Sequence, residues 1–271
     1  MEYLSYKDIA AQLDRIRPGS VVYLVSDIMQ LVFACKKHGE TFDADAFIDS
    51  LQRKIGPEGT LMIPSFSWDF CKGIPFDART TRSRVGVLGD IAVRRADFVR
   101  TRHPMYSFAV WGKDAQALYD ADCVSSFGAD SSFAYMHRVD ALTLVVGLSP
   151  LAGTTFVHYV EQCMHVPYRY EKSFTGLCTD ANGVTAEKTV TMFVRELALN
   201  SEYLTGLDDV LTELNIAHTD VIDTVPFHTI YLRELYPVVA ADICCNEARH
   251  LYAYDRVKFP YDYAPCRRYF A

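Results

Sequence analysis

The sequence lacks the residue spacings of a metal site or of a secreted disulfide framework. Its eight histidines show no HxxxH spacing, and none of its eight cysteines forms a CxxC pair. Zinc sites and disulfide-rich secreted domains depend on such spacings. We therefore expect no bound metal, and we expect buried, reduced thiols at positions 35, 71, 123, 163, 178, 244, 245 and 266.

Long apolar runs and an excess of basic residues are also missing. No apolar run approaches the ~20 residues that a membrane-spanning helix needs, and the segment Met1 to Ser5 has neither the basic nor the apolar part of an export signal. The net charge is −7, the opposite of the basic footprint that nucleic acid requires. We expect a cytoplasmic protein with no membrane or nucleic-acid partner, and the acidic balance suits a cationic ligand such as a polyamine or an amino sugar.

What remains is the composition of a globular domain. The chain has 271 residues, of which 50% are hydrophobic, enough for one sizeable core or two small ones. No repeat, low-complexity tract or Pro/Gly/Ser-rich linker divides it. We predict a single domain over residues 1–271.

Hydrophobic periodicity predicts alternating helices and strands. Tyr6, Ile9 and Leu13 recur at helical spacing at the start of the chain, and Asn182-Gly183 is a strong hairpin-turn signal. A strand, a helical stretch and a second strand before residue 64 form a βαβ unit. We predict helices over 28–38, 43–55, 86–95 and 207–214, hairpin strands over 175–184 and 189–195, and further strands over 21–25, 60–64, 107–111, 142–148, 221–225 and 240–244.

The segment that follows the apolar run 141–148 carries the strongest functional signal. It places His158 three residues before Glu161. If this segment is helical, both side chains share one face of its first turns. The imidazole would then lie near the carboxyl end of a strand, where open α/β sheets bind their ligands. A histidine at such a position is also a common structural residue, so the residues around it decide between the two interpretations.

Several short motifs upstream of His158 occur in an order that resembles the antibiotic N-acetyltransferase family, typified by aminoglycoside 3-N-acetyltransferases. The resemblance covers about residues 18–165, and from about residue 170 onward the chain matches the family less well. The matching segments are Gly56-Pro57-Glu58-Gly59-Thr60-Leu61-Met62-Ile63-Pro64, Trp68-Asp69, Pro75-Phe76-Asp77, Arg100-Thr101-Arg102-His103-Pro104 with Ser107, Gly128 to Ser131, and Thr155 to Glu161.

The resemblance implies a fold and a reaction. The fold would be α/β, a mixed parallel and antiparallel sheet flanked by helices, unlike the common GNAT acetyltransferases. The reaction would transfer an acyl group from acetyl-CoA or another acyl-CoA to a primary amine of an amino sugar. His158 would be the general base and Glu161 would orient it. This agrees with the chemistry, because an amine attacks a thioester only when neutral and a histidine can take its proton near neutral pH.

The resemblance also suggests binding residues. Asp69 and Asp77, with Trp68, would bind the cationic acceptor, although loop capping explains the two aspartates equally well. Arg79, Arg82 and Arg84 would either meet a phosphate or form a solvated face. We assign coenzyme A contacts to Ser26, Thr80, Thr81, Ser83 and Ser107, although a helix N-cap before Gly86 explains Thr80, Thr81 and Ser83 equally well.

Two departures from the family pattern concern the first strand, where Val25 and Asp27 replace an expected histidine and serine. Three alternatives stay open. The acceptor could be a nucleotide-linked amino sugar of polysaccharide biosynthesis rather than an antibiotic, the chain could be a non-catalytic relative that binds coenzyme A or a sugar, or it could hydrolyse a thioester or an amide. We also allow for a homodimer.

Overall fold

The computed structural model describes residues 6–197 and 206–269. A 3₁₀ helix spans Tyr6–Gln12 and another spans Asp69–Lys72. The strands in the described residues are β1 (Val21–Ser26), β2 (Thr60–Pro64), β3 (Phe76–Asp77), β4 (Val99–Arg100), β5 (Phe108–Gly112), β6 (Leu142–Val146), β7 (Arg169–Thr179), β8 (Thr185–Arg195), β9 (His218–Ile222) and β10 (Val225–Tyr231). The α-helices are α1 (Met29–Lys37), α2 (Ala44–Ile55), α3 (Val87–Arg94), α4 (Ala115–Asp120), α5 (Ser132–Arg138), α6 (Phe156–Cys163), α7 (Gly206–Glu213), α8 (Leu232–Asn246) and α9 (Ala264–Arg267).

The main sheet has seven strands in the order β4-β5-β2-β1-β6-β10-β9. Strand β1 pairs in parallel with β2 on one side and β6 on the other, whereas β5 and β10 pair antiparallel with their neighbours. The predicted βαβ unit is therefore present, with α1 and α2 in the connection. The predicted fold class, a mixed sheet flanked by helices, is confirmed.

Helices cover both faces of this sheet. Along β1, Val22 and Leu24 point into one apolar cluster, and Tyr23 and Val25 point into the other. This continuous burial is characteristic of a parallel strand between two layers. Helices α1, α2 and α3 contribute to the first cluster, and α5, α6 and α8 contribute to the second.

A second sheet has the order β3-β7-β8. Its main part is a long antiparallel hairpin, and the predicted Asn182-Gly183 turn lies at its tip. Gly183 has a φ of +85°, and the Asp180 carboxylate accepts hydrogen bonds from the amides of Asn182 and Val184, both at 2.9 Å. The second apolar cluster contains Val190 of β8 together with residues of the main sheet. This packing is compatible with a single domain over residues 1–271, which stays a prediction.

The predicted strand over 240–244 is wrong, because these residues lie in the middle of α8. Val239, Ala240, Ile243 and Cys244 are all fully buried, and their spacing places them on one side of a helix. A short apolar run does not distinguish a buried strand from a buried helical segment. The opening segment is helical as predicted, but it forms a 3₁₀ helix.

The predicted strand over 221–225 also differs from the structure. Asp223 and Thr224 have φ values of +46° and +72°, and they form the turn between β9 and β10. Positive φ at two successive positions is typical of a tight hairpin turn. Among the described residues, no helix is both long and apolar enough to span a bilayer.

Candidate active site

A cavity of about 400 Å³ lies at the carboxyl ends of the parallel strands. Val25 and Ser26 of β1 and Pro64 of β2 contribute to its wall, and the segment after β6 contributes Thr155 and His158. The predicted position of the imidazole, at the carboxyl edge of the sheet, is confirmed. Ser26, predicted to contact coenzyme A, also lines this cavity.

The loop between β6 and α6 needs glycine where it passes the end of β1. Gly147 has a φ of +70°, and a Cβ atom there would lie 2.3 Å from the carbonyl oxygen of Asp27. Only glycine permits this conformation and this close approach. Helix α6 then buries Phe156, Val157 and Val160 completely, which fixes the side of the helix that carries His158.

His158 and Glu161 form a hydrogen-bonded pair on α6. The distance from His158 Nδ1 to Glu161 Oε2 is 2.7 Å. The Glu161 side chain is 0% exposed and the His158 side chain is 20% exposed. The predicted sharing of one helix face is therefore confirmed, with the carboxylate on the buried side and the imidazole on the wall of the cavity.

Two residues that the sequence did not indicate complete the surroundings of Glu161. Arg169 Nε lies 2.8 Å from Glu161 Oε2, and the Tyr168 hydroxyl donates to Oε1 at 2.9 Å. Burial alone would raise the pKa of Glu161, but Arg169, His158 and Tyr168 together outweigh it and lower that pKa to about 2. Glu161 is therefore a buried carboxylate that stays ionised at neutral pH.

The ionised state of Glu161 determines which nitrogen of His158 carries the proton. A carboxylate only accepts hydrogen bonds, so the 2.7 Å contact places a proton on Nδ1. Nε2 is then the unprotonated nitrogen of the neutral ring, and no described protein group forms a hydrogen bond to it. This tautomer leaves the lone pair of Nε2 for the cavity that the ring lines.

The electrostatic surroundings favour a neutral ring. Burial lowers the pKa of His158, and the positive charges of Arg169 and Arg195 lower it further, against the opposing effect of Glu161. His158 is consequently unprotonated at neutral pH, as a general base must be.

The cavity is lined mainly by aliphatic and aromatic side chains, and its lining is uncharged. None of the described residues that line it carries a carboxylate, an ammonium or a guanidinium group. Trp68, predicted to contact the acceptor, is in the wall and 36% exposed, and its ring meets that of Tyr106 edge-on at 6.1 Å. Such a surface suits an uncharged, flexible ligand segment better than a polycation.

The two predicted acceptor-binding aspartates lie outside this cavity. Asp69 lines a separate cavity of about 210 Å³ and pairs with Arg84 at 2.7 Å. Asp77 pairs with Arg79 at 2.8 Å. The hydrogen bond from the arginine lowers the pKa of each carboxyl group. Both are therefore compensated charges, and their contact with an acceptor stays a prediction.

The predicted coenzyme A contacts Thr80, Thr81 and Ser83 are not among the residues that line the His158 cavity. Thr81 Oγ1 accepts from the Asp77 amide, and Ser83 Oγ accepts from the Val85 amide. The structure thus uses both hydroxyls to shape the loop before α3. Thr80 is on the exposed side of that loop, and the cofactor role of all three stays a prediction.

Ser107 is fully buried beneath the loop rather than in the cavity. Its hydroxyl donates to the Ser65 carbonyl at 2.9 Å and accepts from Arg100 Nε at 3.0 Å. Arg100 Nη1 in turn donates to the Thr81 carbonyl. This network explains Ser107 without a ligand, so its predicted contact with coenzyme A stays untested.

His103 has a structural role in the loop before β5. Its Nδ1 accepts from the amides of Met105 and Tyr106 at 3.2 and 3.1 Å. Burial lowers its pKa to about 3, so the ring is neutral. Arg82, considered for a phosphate, is paired with Asp90 at 2.9 Å.

Among the residues that the structure describes, no three His, Cys, Asp or Glu side chains are grouped as metal ligands. The His158–Glu161 pair offers acid–base chemistry beside an uncharged cavity.

Comparisons with known proteins indicate the family to which the chain belongs. A family model described as aminoglycoside 3-N-acetyltransferase matches residues 35–242. A curated relative, "Aminoglycoside N(3)-acetyltransferase IV" from Salmonella sp, is 33% identical over 124 residues, which are 45% of this chain and 46% of the relative. The aligned part thus spans about half of that relative's length.

Solved structures show the same fold. The apoenzyme of aminoglycoside acetyltransferase AAC(3)-IVa has a TM-score of 0.70 at 21% identity, over 99% of this chain and 98% of that chain. AAC-IIIb, solved as a binary complex with CoASH, has a TM-score of 0.73 at 18% identity, over 94% of this chain and 100% of that chain. Because the family model spans most of the sequence, the chain belongs to the aminoglycoside 3-N-acetyltransferase family, whose members are acetyl-CoA-dependent N-acyltransferases.

Proposed function

We propose that this protein transfers an acyl group from acetyl-CoA, or from another acyl-CoA, to a primary amine of an amino sugar such as an aminoglycoside. The observation that carries the proposal is the His158–Glu161 pair, which presents an unprotonated Nε2 at the wall of a cavity at the carboxyl edge of the sheet. The similar structures support the two ligands, since AAC-IIIb is bound to CoASH and a variant of AAC(3)-IVa is in complex with a gentamicin.

The cavity suits the uncharged part of the donor. Its volume of about 400 Å³ and its lining by Trp68, Tyr106 and aliphatic side chains fit a thioester arm, and Ser26 adds a hydroxyl group to the lining. The thioester supplies an electrophilic carbonyl carbon. A polycationic acceptor would find compensating carboxylates only outside this cavity, and Asp69, which follows Trp68 in the sequence and lines a second cavity, is one candidate.

His158 would carry the proton through the reaction. Nε2 accepts a proton from the acceptor amine as the nitrogen forms its bond to the thioester carbon. Glu161 stabilises the resulting imidazolium through Nδ1–H. When the carbon–sulfur bond breaks, the imidazolium gives the proton to the departing thiolate, so His158 returns to its neutral form. No covalent enzyme intermediate is needed.

The test is a turnover assay with product analysis. Acetyl-CoA and longer acyl-CoAs are incubated with an aminoglycoside panel and with nucleotide-linked amino sugars, and the products are identified by mass spectrometry. We expect one acylated amine per free CoA, and we expect His158→Ala to lose roughly 10²- to 10⁴-fold in kcat.

Each other outcome identifies a different function. Free acid and CoA without any amine would indicate a hydrolase. Binding of acyl-CoA without turnover of any amine would indicate a non-catalytic relative. Turnover of only the nucleotide-linked sugars would keep the chemistry and change the acceptor.

A further inference from the structure

Arg169, at the start of β7, connects the site to two other parts of the chain. Its guanidinium contacts both members of the catalytic pair, with Nε 2.8 Å from Glu161 Oε2 and Nη2 3.0 Å from His158 Nδ1. Nη1 donates to the Phe193 carbonyl at 3.0 Å, and Nη2 donates to the Tyr252 hydroxyl at 2.8 Å. The side chain is only 7% exposed, so these contacts hold it in a fixed position.

We infer that Arg169, anchored by Tyr252, is a positioning residue that keeps the proton of His158 on Nδ1 and keeps the ring neutral. The kinetic part of this inference rests on the proposed function. Its structural part concerns the state of one imidazole and can be measured without any substrate.

The first step concerns Glu161. Its carboxyl group is completely buried, and a buried carboxyl group without a cation takes up a proton. A protonated Glu161 would itself have a proton to donate, and Nδ1 could accept it, which would favour the opposite tautomer. The ion pair with Arg169 prevents this by keeping Glu161 an acceptor.

The second step concerns the charges that face the ring from all sides. Glu161 on α6 is negative, whereas Arg169 on β7 and Arg195 on β8 are positive, and Phe127 places its ring edge-on at 5.6 Å. Arg169 is the closer of the two cations to the imidazole, because its Nη2 lies 3.0 Å from Nδ1. It therefore opposes protonation of Nε2 before the amine arrives.

The third step concerns Tyr252. With a proton on Nδ1, Nη2 of Arg169 cannot donate to that nitrogen and needs another acceptor. The Tyr252 hydroxyl, on a residue only 1% exposed, is that acceptor. Tyr252 lies beyond residue 242, where the family match ends. A residue outside the matched range thus supplies a hydroxyl that helps to orient Arg169.

The experiment uses the full chain, three variants and two matched controls. Tyr252→Phe removes one hydroxyl, Arg169→Lys keeps the charge without the planar fork, and Arg169→Met removes both. The controls are Tyr263→Phe, which removes a buried hydroxyl bonded to Tyr254, and Arg95→Met, which breaks ion pairs with Asp45, Asp49 and Asp97 on α2 and beyond. Long-range ¹H–¹⁵N NMR spectra of the imidazoles, with His158 assigned from His158→Ala, report its tautomer and its pKa.

We expect the His158–Glu161 pair to take up a proton at higher pH in Arg169→Met than in the wild type, and His158 to lose the pure Nδ1–H tautomer, with smaller changes in Arg169→Lys and Tyr252→Phe. In the acyl-transfer assay, kcat should fall by about tenfold or more in Tyr252→Phe with KM little changed, because a hydrogen bond to a charged group is lost. The acidic limb of the pH–rate profile should move to higher pH in Arg169→Met. It should move least in the two controls.

An unchanged tautomer and pKa of His158 in all the Arg169 and Tyr252 variants would overturn the inference. If Arg169→Met does not fold, Arg169→Lys and Tyr252→Phe decide the question in the same way. If no acyl-CoA and amine pair is turned over, the proposed function fails, whereas the NMR measurement still confirms or refutes the positioning.

Discussion

The buried ion pair between Glu161 and Arg169 allows a quantitative prediction for stability. The two side chains are 0% and 7% exposed, so replacing one partner leaves a charge in the core without its counterion. Removing one partner of such a pair costs about 3–5 kcal/mol in the free energy of unfolding, whereas removing both costs much less. We expect Arg169→Met and Glu161→Gln each to lose about 3–5 kcal/mol at pH 7, and the double variant to lose clearly less than their sum.

The pH dependence of the two single variants should differ. Glu161 can escape its unpaired state in Arg169→Met by taking up a proton. From a reference pKa of 4.5, this costs about 3 kcal/mol at pH 7, at 1.36 kcal/mol per unit, and less as the pH falls. An arginine cannot lose its proton, so the loss in Glu161→Gln should not shrink in this way.

In the wild-type protein, the pKa of Glu161 determines how the stability from the ion pair depends on pH. The folded pKa of Glu161, about 2, is below the reference value of 4.5. The stability that the ion pair contributes is thus fully present above pH 4.5 and is lost as the pH falls toward 2.

Urea unfolding at pH 7, 6 and 5 measures all four proteins of this double-mutant cycle. The contacts of Arg169 with Phe193 and Tyr252 are lost in both arms that carry Arg169→Met, so they cancel in the interaction energy. An interaction energy of about 2 kcal/mol or more is expected at pH 7. Additive losses would refute the description of Glu161 as an ionised carboxylate held by Arg169.

Two further predictions concern the frame of the site. Gly89→Ala should lower the melting temperature and impair donor binding, because a Cβ atom would lie 2.2 Å from the Pro64 carbonyl oxygen in the cavity wall. A melting temperature equal to that of the wild type would contradict the packing of α3 against β2. Ser131→Ala should cost about 1 kcal/mol in urea unfolding, because the Ser131 hydroxyl caps α5 by accepting from the Ala134 amide at 3.2 Å, and no loss would mean that this cap does not stabilise the helix.

Local sequence patterns were enough to predict the parts of the site that a single element carries. His158 and Glu161 are three residues apart on one helix, so their contact follows from helical geometry alone. Alternating strands and helices likewise indicated β1, β2 and β6, and with them the edge at which the imidazole lies. The hairpin followed from its Asn182-Gly183 turn.

Contacts between distant parts of the chain could not be predicted in this way. Arg169 lies on β7 of the second sheet and contacts Glu161 on α6. Tyr252 lies in the C-terminal portion of the chain, and no spacing in the sequence relates these three residues. The only local signal for these contacts was the Tyr168-Arg169 pair shortly after α6, because a buried Glu161 carboxylate needs hydrogen-bonding or charged partners. The ion pairs of Asp69 with Arg84 and of Asp77 with Arg79 were likewise not predicted from the sequence.

The general-base role of His158 is tested most directly by comparing His158→Ala with the wild type at several pH values. The kcat of acyl transfer should fall roughly 10²- to 10⁴-fold near neutral pH, while calorimetry shows unchanged acyl-CoA binding. The deficit should narrow as the pH rises, because more of the acceptor amine is then neutral without a base. Wild-type turnover by His158→Ala, with its fold intact, would contradict the proposed mechanism.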